Sequence, residues 1–185
     1  QPGESILTLA DLLRKGVGSD WQLQVKRLPN MQAKIGWLVE QTERLTGLDH
    51  FGVYLTALFE ADMLFGNENR HLNNIAVLRR GEAFDYCPMF DFGAGLLSNV
   101  RDYPMDVEPK VLLSQLRAQP MNAQFVRLVH AAQANYGAQI RYDSSREDIV
   151  NALAEPLAFY AERDRSYISD RVMLCIQTQY RKLKK

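Results

Sequence analysis

The most constraining feature of this sequence is the stretch 66–93, which places two polar segments on either side of an apolar one. The first polar segment, Asn67–Asn74, reads NENRHLNN, and the second is the tripeptide Asp91–Gly93, Asp-Phe-Gly. Between them, Ile75–Leu78 and Ala83–Tyr86 have the β-branched and aromatic composition of two strands joined by a short turn. The pattern predicts a β-hairpin whose ends bring both polar segments to one place.

The remainder of the chain has helical patterning. Met31–Leu45 and Phe51–Phe65 repeat apolar residues at the spacing of a buried helix face. Further helices are predicted at Thr8–Gly16, Val111–Arg117, Asn122–Tyr136, Ser144–Ala154 and Leu157–Tyr180, with capping boxes at Thr8 and at Ser144 with Glu147. Asp20–Leu28 stays open between helix and strand, because its apolar residues alternate. The predicted fold class is therefore mainly α with a small β-hairpin.

Length and charge limit the classes of partner. The 185 residues suffice for a single domain, 1–185, with a sizeable core. Lys plus Arg and Asp plus Glu both number 22, so the overall charge does not predict a nucleic-acid partner. No apolar run approaches the length of a membrane span, so no membrane partner is predicted either. The basic end, Arg181–Lys185, is predicted to be a solvated tail.

The cysteines and histidines are sparse. Cys87 and Cys175 lack a CxxC spacing, which favours reduced thiols in a cytoplasmic protein. His50, His71 and His130 are scattered without the spacing of zinc ligands. A zinc site is therefore not predicted.

One charge interrupts an apolar helix face. Asp62 falls on the apolar stripe of the predicted helix Phe51–Phe65. Two interpretations stay open at this point. Asp62 either lies at the helix end and reaches water, or it braces the loop Asn67–Asn74 by accepting hydrogen bonds from its backbone N–H groups.

The polar segments carry the groups that phosphoryl transfer requires. A carboxylate orients the attacking hydroxyl, and hard oxygen ligands hold Mg²⁺ against the phosphates. In kinases these groups occur as an Asp, an Asn five residues later, a hairpin and then the Asp of an Asp-Phe-Gly motif. Here Asn74 precedes the first strand and Asp91 follows the second, while the residue five before Asn74 is Asn69 rather than Asp.

At these residues the chain resembles the catalytic lobe of protein kinases, and more closely the HipA-like atypical bacterial serine/threonine kinases. Their loops read approximately G-N-x-D-R-H-x-x-N, and the matching positions here are Gly66, Asn67, Arg70, His71 and Asn74. Phosphoinositide 3- and 4-kinases share D-R-H-x-x-N-I followed by Asp-Phe-Gly, which matches at Arg70, His71, Asn74 and Ile75. The resemblance implies the C-terminal helical lobe of a protein-kinase-like fold and ATP-dependent phosphorylation of a Ser or Thr hydroxyl on a protein.

The resemblance also implies residue roles. Asn74 and Asp91 are expected to hold Mg²⁺ and with it ATP, and Asn69 occupies the position of the catalytic base. His71 is expected to have either a catalytic, electrostatic role or a structural one in the loop. Arg70 is expected to pair with Asp91 or with a negative group in the following loop, and a plain surface ion pair is the other interpretation.

Three interpretations of Asn69 stay open. The protein is a natural pseudokinase that binds a nucleotide or partner, or Asn69 is an engineered replacement, or Glu68 takes the role of base in a shifted loop. The amide of Asn69 can position a hydroxyl but cannot accept its proton. We favour loss of activity over rescue by Glu68, because adjacent loop residues are expected to point in different directions.

Further expectations concern partners and alternatives. No Gly-rich phosphate loop or lysine-bearing strand precedes the helices, so we expect the nucleotide-covering N-terminal lobe to be supplied in cis or in trans. Members of the HipA-like group often act as toxins, which implies an antitoxin-like partner beside the protein substrate. The alternatives are a non-catalytic pseudokinase or binding module, and a small-molecule or lipid kinase. The lipid version is disfavoured because Arg101 is the only basic residue in Gly93–Glu108.

Overall fold

The computed structural model describes residues 3–183. In this part of the chain, eight helices and three strands follow one another as β1 (Glu4–Thr8), α1 (Leu9–Gly16), α2 (Trp21–Arg27), α3 (Met31–Thr46), α4 (Phe51–Phe65), β2 (Ala76–Arg80), β3 (Ala83–Tyr86), α5 (Pro109–Gln115), α6 (Phe125–Tyr136), α7 (Arg146–Ala154) and α8 (Glu162–Leu183). The three strands form one antiparallel sheet. The predicted fold class, mainly α with a small β element, is confirmed at this level.

The sheet contains the predicted hairpin and one further strand. Strands β2 and β3 are antiparallel, with Arg80 opposite Ala83 beside the turn at Gly81, whose φ is 62°. The sheet order is β1-β2-β3, and Thr8 of β1 lies opposite Ala76 of β2. Strand β1 was not predicted, because its partner is distant in the sequence and a strand of five residues gives little periodicity.

Helix α1 starts directly after β1 and is hydrogen-bonded to the polar loop, the segment Asn67–Asn74 with the residue that follows it. Thr8 Oγ1 accepts a hydrogen bond from Asp11 N at 3.1 Å, which confirms the Thr8 half of the predicted capping box, while the carboxylate of Asp11 pairs with Arg14. Leu9 N donates to Ile75 O at 2.7 Å, and Ala10 N donates to Leu72 O at 3.2 Å. The junction of β1 and α1 therefore fixes the far end of the loop that precedes β2.

Helix α4 is the centre of the core. Phe51, Leu55 and Phe59 are fully buried, and α4 packs against α3, α6 and α8. Two carboxylates lie inside this apolar environment, since Glu60 is 0% exposed and Asp62 is 2% exposed. Each must be satisfied by hydrogen bonds, because a buried, unpaired charge is costly.

Glu60 is satisfied by the segment that follows α6. Its carboxylate accepts from Ile140 N at 2.6 Å, from Gln139 N at 3.1 Å and from Gln133 Nε2 at 2.7 Å. The backbone N–H groups of Gln139 and Ile140, in the segment after α6, thus bind one buried carboxylate of α4. This contact attaches α6, and the chain after it, to the helix that carries Asp62.

Several predicted boundaries need correction. The open segment Asp20–Leu28 contains helix α2, in which Trp21 and Val25 are buried one helical turn apart. The predicted capping box at Ser144 with Glu147 is wrong by one residue, since Ser145 Oγ accepts from Asp148 N at 3.1 Å and Asp148 accepts in return. The starts of α6 and α8 were placed three and five residues too early.

The end of the chain also differs from its prediction. Arg181 and Lys182 belong to the last turn of α8 rather than to a solvated tail, and Lys184 and Lys185 lie outside the described residues. Cys87 and Cys175 are free and buried. Within residues 3–183, every helix is either too short or too polar to cross a bilayer.

Candidate functional site

The polar loop begins where α4 ends. Gly66 adopts a left-handed backbone with φ of 63° and donates its N–H to Met63 O at 3.2 Å. A Cβ atom at this position would lie 3.0 Å from Leu116, so the conformation and the space both favour glycine. Asn67 N donates to the carbonyl of Asp62 at 2.8 Å, which turns the chain from α4 toward the hairpin.

The side chains of Asp62 and Arg70 form a buried, two-pronged ion pair. Arg70 Nε lies 2.9 Å from Asp62 Oδ2, and Arg70 Nη2 lies 3.0 Å from Asp62 Oδ1. Asp62 therefore braces the loop rather than reaching water. Its carboxylate accepts from the side chains of Arg70 and Asn67, and its backbone carbonyl accepts from the N–H of Asn67. The prediction that Arg70 pairs with Asp91 or lies in a surface ion pair is wrong, because Arg70 is 1% exposed and bound to Asp62.

The same guanidinium of Arg70 connects the two polar segments. Its Nη1 donates to Asn74 O at 2.8 Å and to Phe90 O at 2.6 Å. Its Cζ lies 4.8 Å from the centre of the Phe92 ring, within cation–π distance. Arg70 thus fixes Asn74, two residues before β2, and Phe90, the residue before the Asp-Phe-Gly motif, relative to each other.

Asn67 completes this buried network. Its Nδ2 donates to Asp62 Oδ1 at 2.7 Å and to the carbonyl of Asp91 at 3.3 Å. Burial raises the pKa of Asp62 above that of an ordinary aspartate, while the hydrogen bonds from Arg70 and Asn67 act in the opposite direction. Asn67 Oδ1 is buried and has no hydrogen-bond partner among residues 3–183. Reversing the amide would place this oxygen against the carboxylate of Asp62.

The side chains of the two predicted metal ligands, Asn74 and Asp91, are in direct contact beside this network. Asn74 Nδ2 donates to Asp91 Oδ2 in a short hydrogen bond and to Asn69 O at 3.0 Å. Three residues that the sequence predicted as a site are therefore in direct contact, although Asn69 contributes its backbone carbonyl here. Asp91 has a left-handed backbone with φ of 58°, an uncommon conformation for a residue other than glycine.

The chemistry of this pair is compatible with a divalent cation. Asn74 uses its amide nitrogen in both hydrogen bonds, which leaves its amide oxygen for another partner. Amide and carboxylate oxygens suit Mg²⁺, which is commonly held by one or two protein groups together with water and phosphate oxygens. No cluster of three or more His, Cys, Asp or Glu residues suited to a metal ion occurs in residues 3–183. A cation at Asn74 and Asp91 would therefore need oxygen ligands from a substrate or from water.

The residues after Asp91 fold back onto the end of α4. The Phe92 ring packs edge-on against Phe65, with ring centres 6.0 Å apart. Leu96 N donates to Phe65 O at 2.6 Å, and a Cβ atom at Gly95 would lie only 3.2 Å from that oxygen. These contacts hold the Asp-Phe-Gly segment beside α4 and so help to position Asp91.

A cavity of about 730 Å³ lies beside the polar loop and is lined in part by Glu68, Asn69, His71, Tyr103, Arg117 and Asn122. Glu68 and Asn69 both line this cavity. The expectation that their side chains point in different directions stays a prediction. His71 N donates to Asn69 O at 2.9 Å. His71 Nδ1 is buried without a hydrogen-bond partner in the described part of the chain. His71 also lines a second cavity of about 510 Å³, between the loop and helices α2 and α3.

The loop that closes one side of the 730 Å³ cavity is held by a residue that was not predicted to take part in the site. Arg171 of α8 is 6% exposed and donates to the carbonyls of Tyr103, Pro104, Met105 and Val107 at 3.1–3.4 Å. The available signal was a charge on the apolar face of α8, beside Val172 and Cys175.

The hydroxyl of Tyr103 donates to Glu68 Oε1 in a short hydrogen bond. Burial first, and this bond second, raise the pKa of Tyr103.

The structure therefore brings Asn69, Asn74 and Asp91 together at the ends of the hairpin and places His71 beside them, facing the two cavities. Comparison with known protein families, with curated proteins and with solved structures gives no match to this chain.

Proposed function

We propose that this chain is the C-terminal catalytic lobe of a HipA-like kinase, whose reaction is Mg²⁺-dependent phosphoryl transfer from ATP to a Ser or Thr hydroxyl of a protein. In this proposal the chain itself is impaired, because Asn69 stands where the reaction needs a carboxylate. The nucleotide-covering lobe comes from a segment in cis or from a partner in trans. An antitoxin-like partner stays a prediction from the resemblance.

The observation that carries the proposal is the contact of Asn74 with both Asp91 and Asn69. These residues are separated by a hairpin in the sequence, yet Asn74 Nδ2 reaches the side chain of Asp91 and lies 3.0 Å from the carbonyl of Asn69. The buried pair Asp62–Arg70 supports the arrangement, since Arg70 binds the backbone on both sides of it. Precise positioning of a phosphate requires exposed oxygen ligands that are supported by a rigid, buried network.

The roles of the side chains follow from these positions. Asn74 and Asp91 would hold Mg²⁺, which neutralises charge on the phosphates when it is bound. Asn69 lines the 730 Å³ cavity, and its amide would orient a hydroxyl there without removing the proton. Phe92 and Arg70 hold the backbone that carries Asp91.

A second candidate is a non-catalytic pseudokinase or binding module. Two observations favour it: the amide at Asn69, and the direct hydrogen bond between Asn74 and Asp91, which holds the proposed metal ligands together without an ion. In that case Mg²⁺ and ATP would raise the melting temperature of the protein without formation of ADP.

The proposal is tested by ADP formation with Mg²⁺, ATP and casein as polypeptide acceptor. The nucleotide-covering lobe is present in the same polypeptide or added as a second one. We expect Asn69→Asp to raise the rate about a hundredfold, the usual contribution of a general base. Adding Asp91→Ala to that variant should abolish the gain, whereas Asp106→Ala, at an exposed loop carboxylate, should not. Absence of ADP formation by Asn69→Asp would contradict the kinase proposal.

A further inference from the structure

The carboxylate nearest to Asn69 in the 730 Å³ cavity already binds a hydroxyl group. Glu68 is half-buried and lines this cavity together with Asn69. The hydroxyl of Tyr103, which lies 35 residues further along the chain, donates its proton to Glu68 Oε1. A general base must lie within hydrogen-bond reach of the hydroxyl that it deprotonates. Glu68 meets this condition toward the hydroxyl of Tyr103.

Both partners of this contact are held by the backbone around them. The carbonyl of Asn69, the next residue after Glu68, accepts from His71 N at 2.9 Å and from Asn74 Nδ2 at 3.0 Å. The carbonyl of Tyr103 accepts from the buried Arg171 at 3.1 Å. Glu68 is therefore attached to the residue whose carbonyl binds Asn74, the side chain that contacts Asp91, and Tyr103 is presented to Glu68 by an anchored loop.

We propose that Glu68 is the proton acceptor of the residual phosphoryl transfer that this impaired chain retains, and that the Tyr103 hydroxyl occupies the position of the acceptor hydroxyl until a substrate displaces it. This inference rests on the proposed kinase function. The proton of the substrate hydroxyl passes to a carboxylate oxygen of Glu68. The substrate oxygen forms a bond to the γ-phosphorus of a nucleoside triphosphate. The bond from that phosphorus to the bridging oxygen breaks, and its electron pair leaves with the nucleoside diphosphate.

The lining of the cavity indicates the class of acceptor. Beside Asn69, the amide-bearing residues Asn99, Gln119 and Asn122 line the same space. Amides donate and accept hydrogen bonds at once, which matches the alternating groups of a peptide backbone. We therefore assign the cavity to an extended polypeptide that carries the hydroxyl.

The contact itself is tested without any turnover. Ultraviolet difference titration of the protein against its Tyr103→Phe variant isolates the ionisation of Tyr103. We expect Glu68→Gln to lower the pKa of Tyr103, because the charge and the hydrogen bond of Glu68 both raise it. Asp106→Asn, at an exposed carboxylate of the same loop, should leave that pKa in place. An unchanged pKa in Glu68→Gln would overturn the contact and the proposal with it.

The catalytic role is tested by a double-mutant cycle of Glu68→Gln and Asn69→Asp, with ADP formation as the readout and circular dichroism to confirm folding. We expect Glu68→Gln to lower the rate of the parent about a hundredfold and to lower the rate of the Asn69→Asp variant much less, since a second carboxylate is then present. Tyr103→Phe should raise the rate of the parent, and Glu68→Asp should retain part of it.

The failures are distinguishable. If Asn69→Asp forms ADP, the kinase proposal stands. The role of Glu68 is then overturned by either of two results: Glu68→Gln changes the rate equally in both backgrounds, or the parent forms no ADP. If neither the parent nor Asn69→Asp forms ADP, the kinase proposal itself is overturned. A lower rate in Tyr103→Phe would show that Tyr103 assists the reaction rather than blocking the acceptor position.

Discussion

Arg70 and Asp62 are joined by two hydrogen bonds of 2.9 and 3.0 Å while 1% and 2% of their side chains are exposed. The carboxylate belongs to the central helix α4 and the guanidinium to the polar loop. Because Arg70 also binds the carbonyls of Asn74 and Phe90, this one pair links the core to both ends of the hairpin. The stability of the fold and the geometry of the candidate site therefore depend on the same contact.

Removal of Asp62 should be strongly destabilising. Asp62→Ala leaves the buried guanidinium of Arg70 without its charge partner, which typically costs about 3–5 kcal/mol of unfolding free energy. The matched control is Asp170→Ala, which removes an exposed partner of Arg146 at 3.4 Å and should cost less than about 1 kcal/mol. Urea unfolding of both variants measures the difference. Equal losses would contradict the assigned importance of the buried pair.

Loss of the charge of Glu60 should also lower the stability of the protein. Glu60→Gln replaces one acceptor oxygen by an NH₂ group facing the amides of Gln139 and Ile140, and an unsatisfied buried group costs about 1–3 kcal/mol. Hydrogen exchange of the Ile140 amide reports the local effect and should accelerate in the variant. Unchanged exchange and stability would show that water replaces the carboxylate at no cost.

Two glycines in helices should respond to alanine with opposite signs. A Cβ atom at Gly52 would lie 2.4 Å from the ring of Tyr136, whereas one at Gly36 would meet only Asn135 Nδ2 at 3.8 Å. Gly52→Ala should therefore destabilise the protein by about 1–3 kcal/mol through overpacking. Gly36→Ala should stabilise it by about 0.5–1 kcal/mol, because alanine loses less backbone entropy in a helix. The melting temperatures of both variants test this prediction. Changes of equal sign would contradict the packing around Tyr136.

Tyr54 should make stability depend on alkaline pH. Its hydroxyl donates to Cys87 O at 2.9 Å, and burial raises its pKa to about 12, above the value near 10 of an unfolded chain. Between these values the unfolded chain has lost the proton and the folded protein retains it, so stability falls as pH rises. The contribution is fully present below about pH 10 and is lost as the pH passes through 12.

The measurement for Tyr54 is urea unfolding at several alkaline pH values in the parent and in Tyr54→Phe. The variant should start about 1 kcal/mol less stable at neutral pH, because the carbonyl of Cys87 loses its donor. Its stability should then fall less steeply than that of the parent above pH 10. Parallel curves would contradict the raised pKa of Tyr54.

The elements that were predictable from sequence are those with a local pattern. Helices α3 and α4 have apolar residues at helical spacing over fifteen or more positions, and both were located within one residue. The hairpin was predictable because a glycine turn, Gly81, separates two β-prone segments. Strand β1 was missed because its stability comes from pairing with β2, which lies about seventy residues away.

The candidate site was predictable only in part, for a similar reason. The order of loop, hairpin and Asp-Phe-Gly indicated that Asn74 and Asp91 would lie close together. Two further acceptors of Arg70 were not predictable, because they are backbone carbonyls, which leave no trace in residue identity. The position of Glu68 and Asn69 at one cavity depends on the path of a tight loop, and Arg171 acts through carbonyls of a distant segment.

The most direct test of the proposed site is NMR titration of the ¹⁵N-labelled chain with Mg²⁺ and ATP. We predict shifts concentrated at the backbone amides of Asn69, Asn74 and Asp91, with loss of these shifts in Asp91→Ala and their retention in Asp106→Ala. Shifts that lie elsewhere, or that persist at Asn69 and Asn74 in Asp91→Ala, would contradict a phosphate and metal site at the ends of this hairpin.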